Sequence, residues 1–378
     1  MTRRKIRVVH VVNNLNYGGM ERLVAELVRR TNPDRFDLHV LALGYMGHFG
    51  EGLDKLATLH LAEPMPSWSM FYPRGLARQF EAIDPDVAHL HSGVLYKASL
   101  AASMADIPYQ LYTDHGRQDP DPWTHRLIDR RAARRVDTIV AVSDRLKQHL
   151  IGFMPDASRI SVIPNGVDTE RYVRREDDGE FRREIGVMPN IPIIGSVGRL
   201  EPIKGYEVMI DAFARLRAMG RHNPQPVLVL VGDGSERSEL ERAASALGIA
   251  DSIRFVGWRS DIERIMRAFT LFGMSSHSEG TSVSLLEAMS SGLCPVVTDV
   301  GGNAAVLGAE LKHRLVRPND PEALAVALSR AILDPRAMMS DGLVSRTRVV
   351  QEFGLEAMVT KYEALYSSAV RTPPPDRV

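Results

Sequence analysis

Short β-branched and apolar runs alternate with longer helical patterns along almost all of this 378-residue chain, and that alternation admits few folds. Two parallel strands need a crossover between them, usually a helix, so a β–α–β–α series predicts parallel sheets clothed by helices. In the first half the strand candidates are IRVVHVV, FDLHVLAL, DVAHLH, YQLYT, DTIVAVS and ISVIP, with helical stretches such as GGMERLVAELVRR and RGLARQFEAI between them. A second series runs through IPIIGSVG, PVLVLVG, SIRFVG, TLFGMSS and CPVVTD, with SERSELERAASALG, SVSLLEAMSSG and DPEALAVALSRAIL as its helices. The chain is longer than one hydrophobic core usually holds. Residues 171–190 are charged, strand-poor and turn-rich, and place a linker there. Two doubly wound α/β domains are expected, over 1–172 and 191–354, with ligands at the carboxyl ends of the strands.

The 47 basic and 47 acidic residues cancel, which argues against a protein that coats nucleic acid. One cysteine, Cys294 in LCPVV, reads as a small core residue; it admits no internal disulfide and favours a reducing compartment. No run approaches the roughly 18 apolar residues of a membrane span. MTRRKIRVVHVV reads as a buried first strand rather than a secretory signal, so a cytoplasmic protein is expected. The proline-rich end RTPPPDRV is expected to lack structure.

The most informative stretch is HSEGTSVSLLEAMSSGLCPVVTDVGG, residues 277–302. If a helix starts near Ser282, Glu279 lies in the loop before it and Glu287 more than one turn inside. Helical side chains lean toward the N-terminus, so Glu287 can point back at that loop. The first N–H groups, around Thr281 to Ser284, lack intrahelical partners and carry partial positive charge. An anion socket flanked by two hydroxyl-seeking carboxylates suits a ligand that joins phosphates to polyols, and a nucleotide sugar is such a ligand.

The string EGTSVSLLEAMSSGLCPVV followed by Gly301-Gly302 resembles the donor-site segment of the family 4 glycosyltransferases, which have the GT-B fold of two Rossmann-like domains facing a cleft. VGRLEPIKG, residues 197–205, is similar to the family's diphosphate-binding segment, with Arg199 as a planar fork and Lys204 as a mobile point charge. Thr113-Asp114-His115 matches the active-site T-x-H, and VSDRL, IPNGVD and GDG match further landmarks. The resemblance covers essentially the whole chain. It implies a retaining, metal-independent transferase that needs no cofactor beyond its nucleotide-diphosphate sugar. Glu287 would take the ribose hydroxyls, and Arg199 and Lys204 the diphosphate. Glu279, with Gly280, Thr281, Ser282 and Val283, would position the transferred sugar, and His115 would line it near the reacting carbon. In NYGGMERL, Gly19 would touch donor phosphate, while Gly18 and Glu21 would lie beside the acceptor. A terminal helix over 355–370 would cross back onto the first domain. The family usually has a large apolar residue and then Pro or a small one after E-G; here Thr281 and Ser282 stand there, so donor identity is not carried over.

Two D-x-D triplets, Asp84-Pro85-Asp86 and Asp119-Pro120-Asp121, read as a helix-to-strand turn and a helix approach rather than as metal sites. RLIDRRAARR (126–135) and the loop PMPSWSMFYP (64–73), with Trp68, Met70 and Phe71, together fit a face that docks a lipid-linked glycan acceptor at an anionic membrane. The implied setting is cell-surface polysaccharide or glycolipid synthesis at the inner membrane face. Alternatives are a GT-B nucleotide-sugar epimerase, a phosphorylase, or a non-catalytic nucleotide-sugar-binding subunit.

Overall fold

The computed structural model describes residues 4–16, 18–64, 71–116 and 122–369. The chain forms two compact units, one of residues 1–165 with 356–378 and one of residues 166–355. Trp68, Met70, the Asp119–Asp121 triplet and the proline-rich end lie outside the described residues.

The first unit holds seven strands: β1 (Ile6–Asn14), β2 (Phe36–Tyr45), β3 (Thr58–Leu61), β4 (Val87–His91), β5 (Tyr109–Asp114), β6 (Thr138–Ala141) and β7 (Ile160–Val162). They form one parallel sheet in the order β3-β2-β1-β4-β5-β6-β7. Val8, Val9, Val11 and Val12 are wholly buried, since a sheet covered on both faces leaves neither side of β1 to water. The helix Leu355–Ala369 packs in this unit. Arg30 and Arg35 pair with its Glu356 and Glu363 at 2.9 Å each, and Tyr366 on its inner face is wholly buried.

The second unit holds β8 (Ile193–Val197), β9 (Val227–Val231), β10 (Ile253–Phe255), β11 (Leu271–Met274), β12 (Pro295–Thr298) and β13 (Leu315–Val316), in the parallel order β10-β9-β8-β11-β12-β13. In both sheets sequence order reverses direction once, between β1 and β4 and between β8 and β11. The loops that leave those strands diverge there and open a crevice at the carboxyl edge. Cys294 is buried, and burial pushes its thiol up to about 12.

The structure corrects the linker. Residues 171–190 belong wholly to the second unit, where Tyr172, Phe181 and Val187 join its core and Ser290 Oγ donates to the Tyr172 carbonyl at 2.6 Å. Charge concealed this because the apolar anchors are only three among many polar neighbours. The passage between units lies instead at Asn165–Gly166 and Leu355–Glu356. The strands β3 and β13, absent from the sequence-based series, are both edge strands. An edge strand needs no continuous apolar run, and β3 is half-exposed along its length.

Candidate functional site

At the switch point of the second sheet, the loop after β8 carries Arg199 and Lys204, and the loop after β11 carries Ser275 to Ser282. Lys204 closes a one-turn helix, Pro202–Lys204, whose end is clamped when His277 N donates to the Ile203 carbonyl at 2.9 Å. That clamp brings the two loops together. Lys204 Nζ donates to Glu279 Oε1 at 2.6 Å, and Ser276 Oγ donates to the same oxygen at 2.7 Å. The Glu279 side chain is only 7% exposed and Lys204 22%, so the pair is shielded from screening by water. Glu279 Oε2 makes no hydrogen bond among the described residues and remains available to a hydroxyl donor.

The Glu279 loop is braced from behind. Gly302 N donates to the Gly280 carbonyl at 2.7 Å, and Gly301 has φ +52. A Cβ on Gly301 would lie 1.7 Å from the Glu279 carbonyl oxygen, which is why a glycine stands there. Thr298 Oγ1 donates to the Ser276 carbonyl at 2.7 Å, tying the end of β12 to the same loop.

The helix Val283–Ser290 begins where the sequence places it, with Ser282 as N-cap accepting from Leu285 N at 3.4 Å. Ser282 and Thr281 are both buried, and the hydroxyl of Ser282 is spent on its own helix. Any ligand at this helix start would meet the backbone of Ser282 rather than its side chain. The N–H groups of Val283 and Ser284 are left without partners among the described residues and are free donors at the helix start. Glu287 is 3% exposed, held inside the unit one turn further on.

Arg199 is exposed, and its guanidinium makes no hydrogen bond among the described residues. Its loop is fixed by backbone bonds, Gly198 N to Val231 O and Leu200 N to Asp233 O, both 3.0 Å. The landmark G-D-G, residues 232–234, thus serves the cation loop as well as its own turn. Gly232 N donates to the Gly257 carbonyl at 2.8 Å, which sets residues 256–259 at the same edge. Arg259 is not free to read a base. It pairs with Glu184 and with Asp261 at 2.9 Å, and that bond holds the Asp261 carboxyl down to about 2.

In the first unit Gly18 caps the helix Gly19–Arg30. Glu21 folds back on it, its Oε2 lying 2.1 Å from where a Gly18 Cβ would stand. The N-terminal turn of that helix thus already carries a carboxylate, which its dipole favours. His115 follows β5; its N–H donates to Ser92 Oγ at 2.8 Å and its Nε2 meets His91 Nδ1 at 3.1 Å. Asp84 ends a helix at φ 49, and Asp86 receives Arg7 N and Arg4 Nη2, each at 2.8 Å, so this triplet is a structural turn.

The basic segment lies on the helix Trp123–Ala132 and just beyond it. Arg126, Arg130, Arg131 and Arg134 are exposed, whereas Arg135 turns inward over the Tyr96 ring. Trp123 and Leu127, one turn apart, are 71% and 60% exposed, with Ile128 beside them. Sequence reading passed over this apolar stripe. The i, i+4 spacing of Trp123 and Leu127 was its only signal, because exposure is decided by what the helix packs against. Phe71 is also exposed. No helix among the described residues is long and apolar enough to cross a membrane.

Known proteins resemble this chain along most of its length. Residues 177–344 match the family described as Glycosyl transferases group 1, and residues 17–171 match Glycosyltransferase Family 4. The chain is 30% identical to the 2-deoxystreptamine N-acetyl-D-glucosaminyltransferase of Streptomyces fradiae, over 84% of this chain and 83% of that one. It is 26% identical to the Escherichia coli UDP-Gal:alpha-D-GlcNAc-diphosphoundecaprenol alpha-1,3-galactosyltransferase, over 98% of each chain. Anabaena HepE, crystallised with UDP and glucose, shares the fold with a TM-score of 0.83 at 22% identity, over 96% of this chain and 100% of that chain.

Proposed function

Since this chain belongs to the family 4 glycosyltransferases and has their GT-B fold, we propose that it moves a sugar from a nucleotide-diphosphate donor to an acceptor hydroxyl with retention at the anomeric carbon and without a metal ion. The observation that carries this reading is the Lys204–Glu279 pair together with the exposed Arg199 on the same loop as Lys204, at the switch point of the second sheet. Lys204 has three N–H donors, of which Glu279 occupies one, so the ammonium can hold a diphosphate oxygen without leaving its carboxylate. Arg199 is the second cation on the departing diphosphate. Together they stabilise the charge that develops as the C1–O bond to phosphate breaks. The acceptor oxygen then bonds to C1 from the same face, and its proton passes to the released diphosphate. Glu279 Oε2 takes a hydroxyl of the transferred sugar, and Glu287 those of the ribose.

Turnover should persist in excess EDTA, and the product's anomeric proton should keep the donor's coupling constant in NMR. Activity that vanishes on chelation and returns with Mg²⁺ or Mn²⁺ would sink the metal-free mechanism. An inverted linkage would sink the same-face attack.

The acceptor we propose is a lipid-linked glycan of cell-surface polysaccharide or glycolipid synthesis, met at the inner face of the membrane. Trp123, Leu127 and Phe71 supply apolar anchors, and Arg126, Arg130, Arg131 and Arg134 supply the charge. Each arginine near an anionic surface contributes on the order of 1 kcal/mol. Binding to phosphatidylglycerol vesicles should therefore exceed binding to phosphatidylcholine vesicles and fall steeply with salt. Changing Arg130, Arg131 and Arg134 to Gln should release the protein while turnover on a soluble acceptor is kept. Equal binding to both vesicle types would count against this face.

A further inference from the structure

One face of the first sheet carries histidines where apolar residues would be expected. His10 on β1 stands opposite His89 on β4, and His91 follows two residues on, so all three share a face. Each is at most 1% exposed. His10 Nδ1 meets His91 Nε2 at 3.2 Å, and His91 Nδ1 meets His115 Nε2 at 3.1 Å. The result is a chain of three imidazoles that ends at His115. Its two terminal atoms, His10 Nε2 and His115 Nδ1, are buried and have no hydrogen-bond partner among the described residues. His91 and His115 also line a small cavity beside Leu23, Met358 and Tyr362. His89 stands apart, since its Nδ1 meets Tyr366 OH and its Nε2 meets Thr113 Oγ1, both at 2.8 Å, leaving that ring satisfied.

Burial pushes His10 down to about 3 and His115 to about 4, and His91 well below its usual range, so the rings are neutral at pH 7. A neutral imidazole has one N–H donor and one acceptor nitrogen. Three rings therefore share three protons, and two of these must sit in the two links. Only two arrangements satisfy both links. In one, His10 donates from Nδ1 to His91, His91 donates from Nδ1 to His115, and His115 keeps its proton on Nδ1. In the other every bond is reversed, His115 presents a bare Nδ1, and an N–H is stranded on His10 Nε2. Each arrangement strands one buried N–H, on His115 Nδ1 in the first and on His10 Nε2 in the second. His115 lines the cavity, where that N–H can meet a ligand oxygen, and His10 does not, so the first arrangement is favoured.

We infer that His10 and His91 are positioning residues that lock His115 as an Nδ1–H donor. This rests on the reading of His115 as a residue that lines the transferred sugar. The locked ring can donate to a sugar oxygen and cannot serve as a general base from that nitrogen. The chain also conducts no proton, because it ends blind at His10.

Long-range ¹H–¹⁵N correlation on the full-length, histidine-labelled protein reads the tautomer directly, with the His115 signals assigned by their loss in His115→Ala. The expected result is a single Nδ1–H tautomer for His115 at pH 7. In His91→Phe that ring should become a tautomer mixture, and kcat should fall about tenfold with donor KM little changed, the size of one hydrogen bond lost. His91→Gln, whose amide can both accept and donate, should restore the Nδ1–H form and most of kcat. An Nε2–H tautomer in the unaltered protein overturns the lock, as does an unchanged tautomer in a folded His91→Phe. A locked tautomer together with full turnover in His115→Ala supports the lock and instead overturns the placement of His115 at the sugar.

Discussion

Lys204→Ala should lower kcat/KM by about two to three orders of magnitude. Losing a charged donor to a shielded diphosphate costs about 3 kcal/mol of transition-state stabilisation. The same change strands Glu279, whose carboxylate is 7% exposed and would keep only Ser276 as a partner. Glu279→Gln removes that stranded charge and keeps the shape. The two substitutions should therefore be strongly non-additive, with the double variant little worse than Lys204→Ala alone. Steady-state kinetics of the four proteins, with isothermal titration of the nucleoside diphosphate, would measure the coupling. A full rate in Lys204→Ala would remove it from the site, and strict additivity would mean that the ion pair has no part in donor handling.

The second large effect concerns acid. His10, His89 and His91 are held neutral by burial, His10 down to about 3 and the others well below the usual range. In the unfolded chain each titrates near 6.5. Between about pH 6.5 and those depressed values the unfolded state binds protons that the folded state refuses, so stability falls as pH falls through that window. Each group contributes about 1.4 kcal/mol per pH unit there. With His115, which burial holds down to about 4, the four rings together give on the order of 5 kcal/mol per pH unit, against a typical domain stability of about 5–15 kcal/mol. The first unit should therefore unfold in mild acid, within about two to three units below pH 6.5. Urea midpoints followed by circular dichroism from pH 7.5 to 4.5 would display the slope, and replacing His10 with Val should flatten it by about a quarter. A stability that does not change between pH 7 and 5 would contradict the buried, neutral state of these rings.

Much of this architecture was readable from local pattern. Period-two and continuous apolar runs are decided by whether one or both faces of a strand are covered, and central strands such as β1 and β9 therefore declare themselves in a few residues. The start of the helix Val283–Ser290 was equally local, because an N-cap needs only a hydroxyl and the next three residues. Of the edge strands, β3 and β13 escaped because they are short and half solvated, with no strict pattern, whereas β7 and β10 lie in the apolar runs ISVIP and SIRFVG.

What no pattern could reveal were pairings that depend on strand order. Lys204 and Glu279 are 75 residues apart and meet because β8 and β11 are neighbours at a switch point. His10 and His91 are 81 apart and meet because β1 lies beside β4. The residue types at these sites were legible, and so was the family motif in which Glu279 and Lys204 sit. That Glu279 spends one oxygen on Lys204 and keeps the other, and that two buried histidines, His91 and His10, stand in line behind His115, was decided by the tertiary fold alone. Hydrogen-bond partners over such separations are set by which carboxyl ends a sheet brings side by side.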